Sequence, residues 1–358
     1  MMYGVILAGG RGTRFWPKSR AVKPKQLQKI LSSRTLLQET LDRISGLIPP
    51  QNVFVLGNKL LAPEIREQLP DVPSSQILAE PVGHNTAPCV GLVAHLIARS
   101  DPEAVLAVLP SDHLITKKNE FLNCLRAAET TSQKNENIVV LGIPPSRPET
   151  GYGYIHFDPA DGESLLGTRV FSVKSFTEKP DRARAEEYVA SKQYFWNGGI
   201  FVWKASTIIH AVERYLPKTH AALKEIAAAW GTEAFESALE KGYPLTDAVS
   251  LDYGIMEKAP HLFCVRADIG WNDLGSWQAV YEFSKKDAHE NALSADCLTI
   301  DATGNLVEVS GKTVALVGVS DLVVVETEDA LLICDRQRSQ DVSRLVKELE
   351  IRKMKSLL

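Results

Sequence analysis

Residues 3–17 read "YGVILAGGRGTRFWP". An apolar run leads straight into three glycines within four positions, with Arg11 and Arg14 beside them. A strand that breaks on glycine can bring backbone N–H groups against phosphate oxygens, because glycine adds no side chain and tolerates positive φ. Two familiar forms of such a loop fail here. The dinucleotide fingerprint needs a glycine where Phe15 stands, and the Walker loop needs G-K-[ST] after a four-residue gap. What remains is GG-x-GTR followed by "KPKQL" at 23–27. Thr13 offers a hydroxyl, and Arg14, Lys23 and Lys25 can neutralise phosphate oxygens. The competing reading is a structural glycine turn with surface basic residues. The added KPK favours a polyphosphate ligand.

Working outward, strand and helix signals alternate through the first half. Apolar runs at 3–8, 52–57, 76–80, 104–109 and 137–142 read as strands. Helices are expected over "TLLQETLDRISGL" at 35–47, over 59–68, over "NTAPCVGLVAHLIARS" at 85–100 and over 119–133. In the third of these Asn85 or Thr86 is the candidate cap and Pro88 lies in the first turn. Continuously apolar strands separated by helices predict an α/β, Rossmann-like fold with a mostly parallel mixed sheet. Its ligand should lie beyond the carboxyl ends of the strands, after Ala8, Ala79, Leu109 and Gly142. "ETGYGYIHF" at 149–157 and "TRVFSVKSFTEKP" at 168–180 are expected as antiparallel strands, 181–192 as a helix and "NGGIFVWKA" at 197–205 as a return to the sheet, and helices fill most of 206–240. After 287 the texture changes to short strands punctuated by Gly, Asn and Asp, which suits a stacked solenoid or a small sandwich. A terminal helix follows, with Leu345, Val346, Leu349 and Met354 on or near one face. The expected domains are 1–287 and 288–358.

Composition narrows the classes. The 358 residues are 44% apolar and 23% charged, with a net charge of -4 and no basic block, so nucleic acid is not expected as a partner. Five dispersed cysteines without a CxxC pair argue against a structural zinc site and a disulfide framework. No apolar run near 20 residues and no basic-then-apolar leader is present, so no membrane span and a cytoplasmic location are expected.

The segment "LAGGRGTRFWPKSRAVKPKQL" at 7–27 closely resembles the signature of sugar-1-phosphate nucleotidyltransferases, specifically the mannose-1-phosphate guanylyltransferases. Further pieces match that family in order: "AEPVGHNTAP" at 79–88, "LPSDH" at 109–113, "GYGYI" at 151–155, "FTEKP" at 176–180, "WNGGIFVW" at 196–203, "SLDYGIMEK" at 250–258 and "WNDLGSW" at 271–277. Together they span nearly the whole chain. Leu27 stands where the family usually has phenylalanine, and His84 replaces the arginine of "RNTAP", which puts a direct role for position 84 in doubt. Some relatives carry a further phosphomannose isomerase domain, which a chain ending at 358 is not expected to hold.

The resemblance implies transfer of GMP from GTP to α-D-mannose 1-phosphate, giving GDP-mannose and diphosphate. It implies a catalytic set of Arg14, Lys23, Lys25, Asp112 and Asp273, with Asp112 and Asp273 holding Mg2+. Nucleotide contacts fall to Leu7, Ala8, Gly9, Gly10, Gly12, Thr13, Glu80, Asn85 and Thr86. Sugar-phosphate contacts fall to Gly153, Glu178, Lys179 and Asn197. It further implies a small left-handed β-helix-like domain at the end of the chain and a homodimer.

The chemistry of these residue types is consistent with that set. Two anionic substrates repel unless cations screen them, and magnesium needs only one or two carboxylates besides phosphate. On spacing alone Asp112 and Asp273 also read as turn residues, His113 is a weak ligand candidate, and Asp268 is a rival carboxylate. Glu80 can accept from guanine N–H donors, but the same stretch reads as an ordinary helix start. Carboxylate, amide and glycine together suit a hexose, whereas Lys179 in "EKPDRARAEE" also reads as solvent-facing. Rival functions are the same fold acting on glucose 1-phosphate with UTP or dTTP, and a non-catalytic nucleotide-sugar-binding regulator.

Overall fold

The apolar run at the start of the chain is strand β1 (Met2–Leu7), and the glycines begin just beyond its end. In this computed structural model residues 1–294 and 296–358 are described, and they divide into two units. The first contains Met1–Gly9, Thr40–Ser111 and Ile115–Trp271; the second contains Gly10–Glu39, Asp112–Leu114 and Asn272–Leu358.

A nine-stranded sheet organises the first unit. Besides β1 it comprises β2 (Val53–Asn58), β3 (Ile77–Glu80), β4 (Val105–Pro110), β6 (Ile138–Ile143), β7 (Tyr154–Leu165), β8 (Thr168–Thr177), β9 (Tyr194–Lys204) and β10 (Leu262–Arg266). The two-residue strands β5 (Leu114–Ile115) and β11 (Trp271–Asn272) lie outside it. The order is β3-β2-β1-β4-β9-β6-β10-β8-β7. Strands β3, β2, β1 and β4 are parallel, as are β6 and β10. By contrast β9 runs against both β4 and β6, and β8 pairs antiparallel with β7 and β10. The sheet is therefore mixed, with a parallel half, and not mostly parallel throughout. One cause is local. Only Leu166 and Gly167 separate β7 from β8, both at positive φ, and so short a turn forces an antiparallel hairpin.

Parallel strands place the ends of β1, β3 and β4 along one edge of the sheet. Helices α1 (Leu36–Ile44), α2 (Ala62–Gln68), α3 (Thr86–Ala98), α4 (Lys118–Ser132), α5 (Arg182–Ser191), α6 (Ala205–Tyr215), α7 (Pro217–Ala228) and α8 (Phe235–Gly242) fall where the periodicity predicts helix. In α1 the spaced set Leu36, Leu37, Leu41 and Ile44 is buried. Helix α3 is buried from Ala87 to Ile97 because it is apolar all round and packs on α6 and α7. Asn85 occupies its N-cap position at φ 70 without a side-chain capping bond.

The second unit has its own core, in which Phe15, Trp16, Leu274, Trp277, Leu306, Val323, Val346 and Leu349 pack together. Short strands β12 (Ala292–Leu293), β14 (Leu306–Glu308) and β16 (Leu322–Glu326) stack in parallel, as do β13 (Cys297–Ile300) and β15 (Val314–Val317). Strand β17 (Leu331–Asp335) closes antiparallel on β16. Buried asparagines hold the stack: Asn305 Nδ2 donates to Asn291 Oδ1 at 2.9 Å, and Leu322 N donates to Asn305 Oδ1 at 2.9 Å. Helices α9 (Trp277–Phe283) and α10 (Val342–Ile351) complete the unit. Helix α10 buries Val342, Val346 and Leu349, an i, i+4, i+7 set, while Leu345 and Met354 are exposed. The buried face thus differs from the one expected, and Met354 lies beyond the helix end.

Candidate active site

The glycine loop begins at the end of β1. Leu7 O accepts from Ser111 N at 3.1 Å and Ala8 N donates to Leu56 O at 2.7 Å, so both residues are tied into the first unit by their backbone. A Cβ added to Gly9 would stand 3.7 Å from Glu80 Oε2, which sets that carboxylate beside the start of the loop.

In the second unit Gly10 O accepts from Gln26 Nε2 at 3.0 Å. Gly12 has φ +60, and a Cβ there would come within 2.5 Å of Lys25 Cβ. Both the left-handed backbone and the close approach require glycine. Thr13 then opens a short helical turn, Thr13–Phe15, that buries Phe15. Arg14 and Lys23 are exposed. Lys25 is not: at 4% exposure it lies 5.3 Å from the Phe15 ring centroid. Its ammonium donates to Asp112 Oδ2 at 2.9 Å and to the Asp273 carbonyl at 2.6 Å.

Asp273 reaches this lysine for identifiable reasons. Leu274 N donates to Asn272 Oδ1 at 2.7 Å, so Asn272 closes the turn, a role that spacing alone also allows Asp273. Leu274 and Trp277 are fully buried, Trp277 packs on Phe15 at 5.1 Å, and its indole donates to Trp16 O at 3.1 Å. "GTRFW" and "WNDLGSW" thus share one core. For Asp112, burial pushes the carboxyl up, but the charges of Lys25 and His113 and the bond from Lys25 outweigh it and hold it below the ordinary range. His113 Nε2 is 3.9 Å from Asp112 Oδ1. Asp268 belongs to the first unit, 71% exposed and paired with Lys117 at 2.8 Å.

Among the described residues no group of three or more His, Cys, Asp or Glu is arranged to hold a metal ion. Lys25 meets the Asp112 carboxylate and the backbone carbonyl of Asp273. An aspartate carboxylate at this point suits, by donor chemistry, a hard cation that takes one or two carboxylates and completes its shell with phosphate and water.

Glu80 ends β3 and accepts a hydrogen bond from the hydroxyl of the fully buried Tyr243. Burial pushes its carboxyl up to about 7, and the Tyr243 bond works against that rise. His84 stacks on Tyr243, ring centroids 6.1 Å apart, and its Nδ1 lies 3.0 Å from Thr246 Oγ1. Thr86 Oγ1 accepts from Leu251 N at 2.8 Å, and Ala87 N donates to Val249 O at 3.1 Å. "NTAP" is therefore docked onto "SLDYG".

The sugar candidates also converge within the first unit. Asn197 N donates to Gly153 O at 2.8 Å, and a Cβ on Gly153 would clash with Glu178 Oε2. Glu178 Oε1 accepts from Lys179 Nζ at 2.6 Å, with Lys179 at φ 46 and its side chain 56% exposed. Asn197 Oδ1 accepts from Gly199 N at 2.9 Å and Nδ2 donates to Asp252 Oδ1 at 2.8 Å. Reasoning from the sequence misses Asp252 and Tyr243. Asp252 sits inside a quoted motif, and an acidic residue between Leu251 and Tyr253 is the available signal. Tyr243 leaves none.

A strand that runs into a glycine loop in a mixed α/β sheet, and within the second unit a lysine–aspartate cluster drawn from separate motifs, are features of a nucleotidyl-transferring class of protein. Residues 3–290 match the nucleotidyl transferase family and residues 296–349 match the MannoseP isomerase/GMP-like beta-helix domain. The chain belongs to the nucleotidyl transferase family, within its mannose-1-phosphate guanylyltransferase group. It is 38% identical to the alginate biosynthesis protein AlgA of Pseudomonas aeruginosa, over 98% of this chain and 72% of that one. It is 37% identical to a mannose-1-phosphate guanylyltransferase of Klebsiella pneumoniae, over 98% and 74%. A solved structure from Thermus thermophilus, described as a mannose-1-phosphate geranyltransferase, superposes with a TM-score of 0.86 at 32% identity, covering 98% of this chain and 99% of that one. No helix among the described residues is long and apolar enough to cross a membrane.

Proposed function

We propose that this chain transfers GMP from GTP to α-D-mannose 1-phosphate, releasing diphosphate and forming GDP-mannose. The observation that carries the reading is the buried Lys25 ammonium, gathered with Asp112 and the Asp273 carbonyl from three separate motifs. A buried cation so held is preorganised for charge that develops on a leaving diphosphate.

The sugar phosphate oxygen attacks the α-phosphorus in line. That oxygen is already ionised near neutral pH, so no general base and no covalent enzyme intermediate are needed. Catalysis is positioning and charge stabilisation. Arg14 and Lys23, exposed on the glycine loop and the turn after it, meet triphosphate oxygens. Gly9, Gly10 and Gly12 let the triphosphate approach backbone, and Thr13 adds a hydroxyl. Glu80 accepts from the guanine N1–H and 2-amino groups, with Asn85 and Thr86 fixing the adjacent chain. Asp112 and Asp273 would hold a divalent cation, assigned here as magnesium, which when bound neutralises charge between the two anionic substrates. Gly153, Glu178 and Asn197 take the hexose, and Lys179 its phosphate. The parallel strand stack of the second unit is read as a partial left-handed β-helix.

The test is diphosphate release over a matrix of nucleoside triphosphates and sugar 1-phosphates with magnesium present. GTP with mannose 1-phosphate should give the highest kcat/KM; a higher value for UTP with glucose 1-phosphate would reject the substrate pair. Magnesium titration separates the metal assignment: Asp273→Asn should raise the magnesium requirement, whereas Asp268→Asn, on an exposed ion pair, should leave it unchanged.

A further inference from the structure

One carboxylate in the first unit has a buried oxygen left over. The Glu178 side chain is 8% exposed, its Oε1 is satisfied by Lys179, and its Oε2 has no hydrogen-bond partner among the described residues. An unpaired buried carboxylate oxygen is costly, so a donor that arrives with the ligand is the natural completion. Beside it stands a second carboxylate. Asp252 receives Asn197 Nδ2 on Oδ1, and a Cβ on Gly153 would meet both Asn197 Cβ, at 3.2 Å, and Oε2 of its neighbour Glu178. Burial, then that neighbour, push Asp252 up to about 6.

The backbone around Asp252 is built to hold it there. Leu251 N is fixed by Thr86 Oγ1, and Asp252 opens a π-helical turn, Asp252–Met256, in which Glu257 N donates to Asp252 O at 3.1 Å. Such turns are rare and concentrate at functional sites. Asn197 cannot swing away, since its amide oxygen is held by Gly199 N. The result is two carboxylates that repel each other, one with an empty oxygen, flanked by a fixed amide and a lysine. Two neighbouring hydroxyls of a pyranose supply the O–H donors that relieve both.

We infer that Asp252 is a sugar-binding, specificity-determining residue that accepts a hydrogen bond from one hydroxyl of the hexose 1-phosphate while Glu178 Oε2 accepts from its neighbour. This rests on the sugar-1-phosphate reading above and goes beyond it by naming a residue and a division of labour. A site built to accept from a hydroxyl discriminates sharply against a sugar that lacks it, because the acceptor is then left unpaired.

The experiment uses the full chain and steady-state kinetics with mannose 1-phosphate and its 2-, 3-, 4- and 6-deoxy analogues. Asp252→Asn should raise KM for mannose 1-phosphate about tenfold or more, with KM for GTP unchanged within about twofold. One deoxy analogue should be no worse for the variant than for the parent, because the partner of the lost charge is already missing. That analogue must differ from the one that couples to Asn197→Ala; if they coincide, Asp252 acts only by orienting Asn197 and the proposal fails. Equal changes in both KM values, or the same extra loss with every analogue, also overturn it. Asp252→Glu, which keeps the charge, should recover part of the loss. If neither variant folds, Asp252 is structural and the inference is wrong. Should the parent prefer another hexose 1-phosphate, the reading of the substrate fails in the parent itself, and the same series on that sugar still decides Asp252.

Discussion

Lys25 has two duties that Arg14 does not share. Its stem fills the space that Gly12 leaves open, and its ammonium neutralises Asp112. Lys25→Ala should therefore lower both stability and turnover, since it strands a carboxylate, whereas Arg14→Ala should lower turnover alone. Loss of a charge-stabilising donor commonly costs about 3 kcal/mol, roughly a hundredfold or more in kcat. Thermal melting and saturating kinetics on both variants separate the effects; near-parental kcat in both would reject the catalytic assignment. The residue types were legible in the sequence. The burial of Lys25 was not, because "KPKQL" looks like a surface run until Phe15 and Gly12 close over it. Glu80 adds a pH signature. A carboxyl raised on folding stabilises the folded chain at low pH, and that contribution falls as pH rises from its ordinary 4.5 through about 7. Nucleotide binding has the opposite sign, since guanine donors need the charged acceptor. KM for GTP should rise as pH falls below about 7, Glu80→Gln should lose that limb, and Tyr243→Phe should move it to higher pH. The phosphates' own titration is common to all three proteins, so an unaltered limb in Glu80→Gln would remove Glu80 from base recognition.

At the scale of elements, the periodicities identified strands and helices because each depends on near neighbours in the chain. The parallel half of the sheet and the buried faces of α1 and α3 follow from such patterns. The antiparallel placement of β9 between β4 and β6 does not, since it depends on partners far away in sequence. The asparagine ladder was equally hidden. Asn291 and Asn305 look like loop punctuation, yet both are buried and bridge successive strands of the stack. Asn305 donates to Val319 O as well as to Asn291, and accepts from Leu322 N. Replacing it by alanine orphans several buried groups at once, each costing about 1–3 kcal/mol. Asn305→Ala should thus destabilise by about 3 kcal/mol or more in denaturant unfolding. A change under about 1 kcal/mol would mean that the ladder is not what holds the stacked strands in register.

For the molecule as a whole, the division into units matters more than the order of the chain. The glycine-loop segment, Gly10–Glu39, belongs to the same unit as the C-terminal strands and helix. Trp16 Nε1 donates to Leu357 O at 2.9 Å, Arg20 Nη1 to the same carbonyl at 2.7 Å, and Lys18 pairs with Glu308 at 2.6 Å. No spacing pattern announces that residue 16 will meet residue 357. The glycine loop, with Lys25, Asp112 and Asp273, is therefore supported by a core that includes Phe15, Trp16 and Leu349. Leu223 of α7 belongs to the separate core of the first unit, and both leucines are buried. Leu349→Ala and Leu223→Ala should each destabilise by about 2–5 kcal/mol through a cavity. Their effects on catalysis should differ. Well below the melting transition, Leu349→Ala should reduce kcat and raise the magnesium requirement, because the loop and its aspartates lose their backing. Leu223→Ala should leave both near the parent. Equal kcat in the two variants at matched stability would show that the C-terminal core supports folding but not the placement of the catalytic groups.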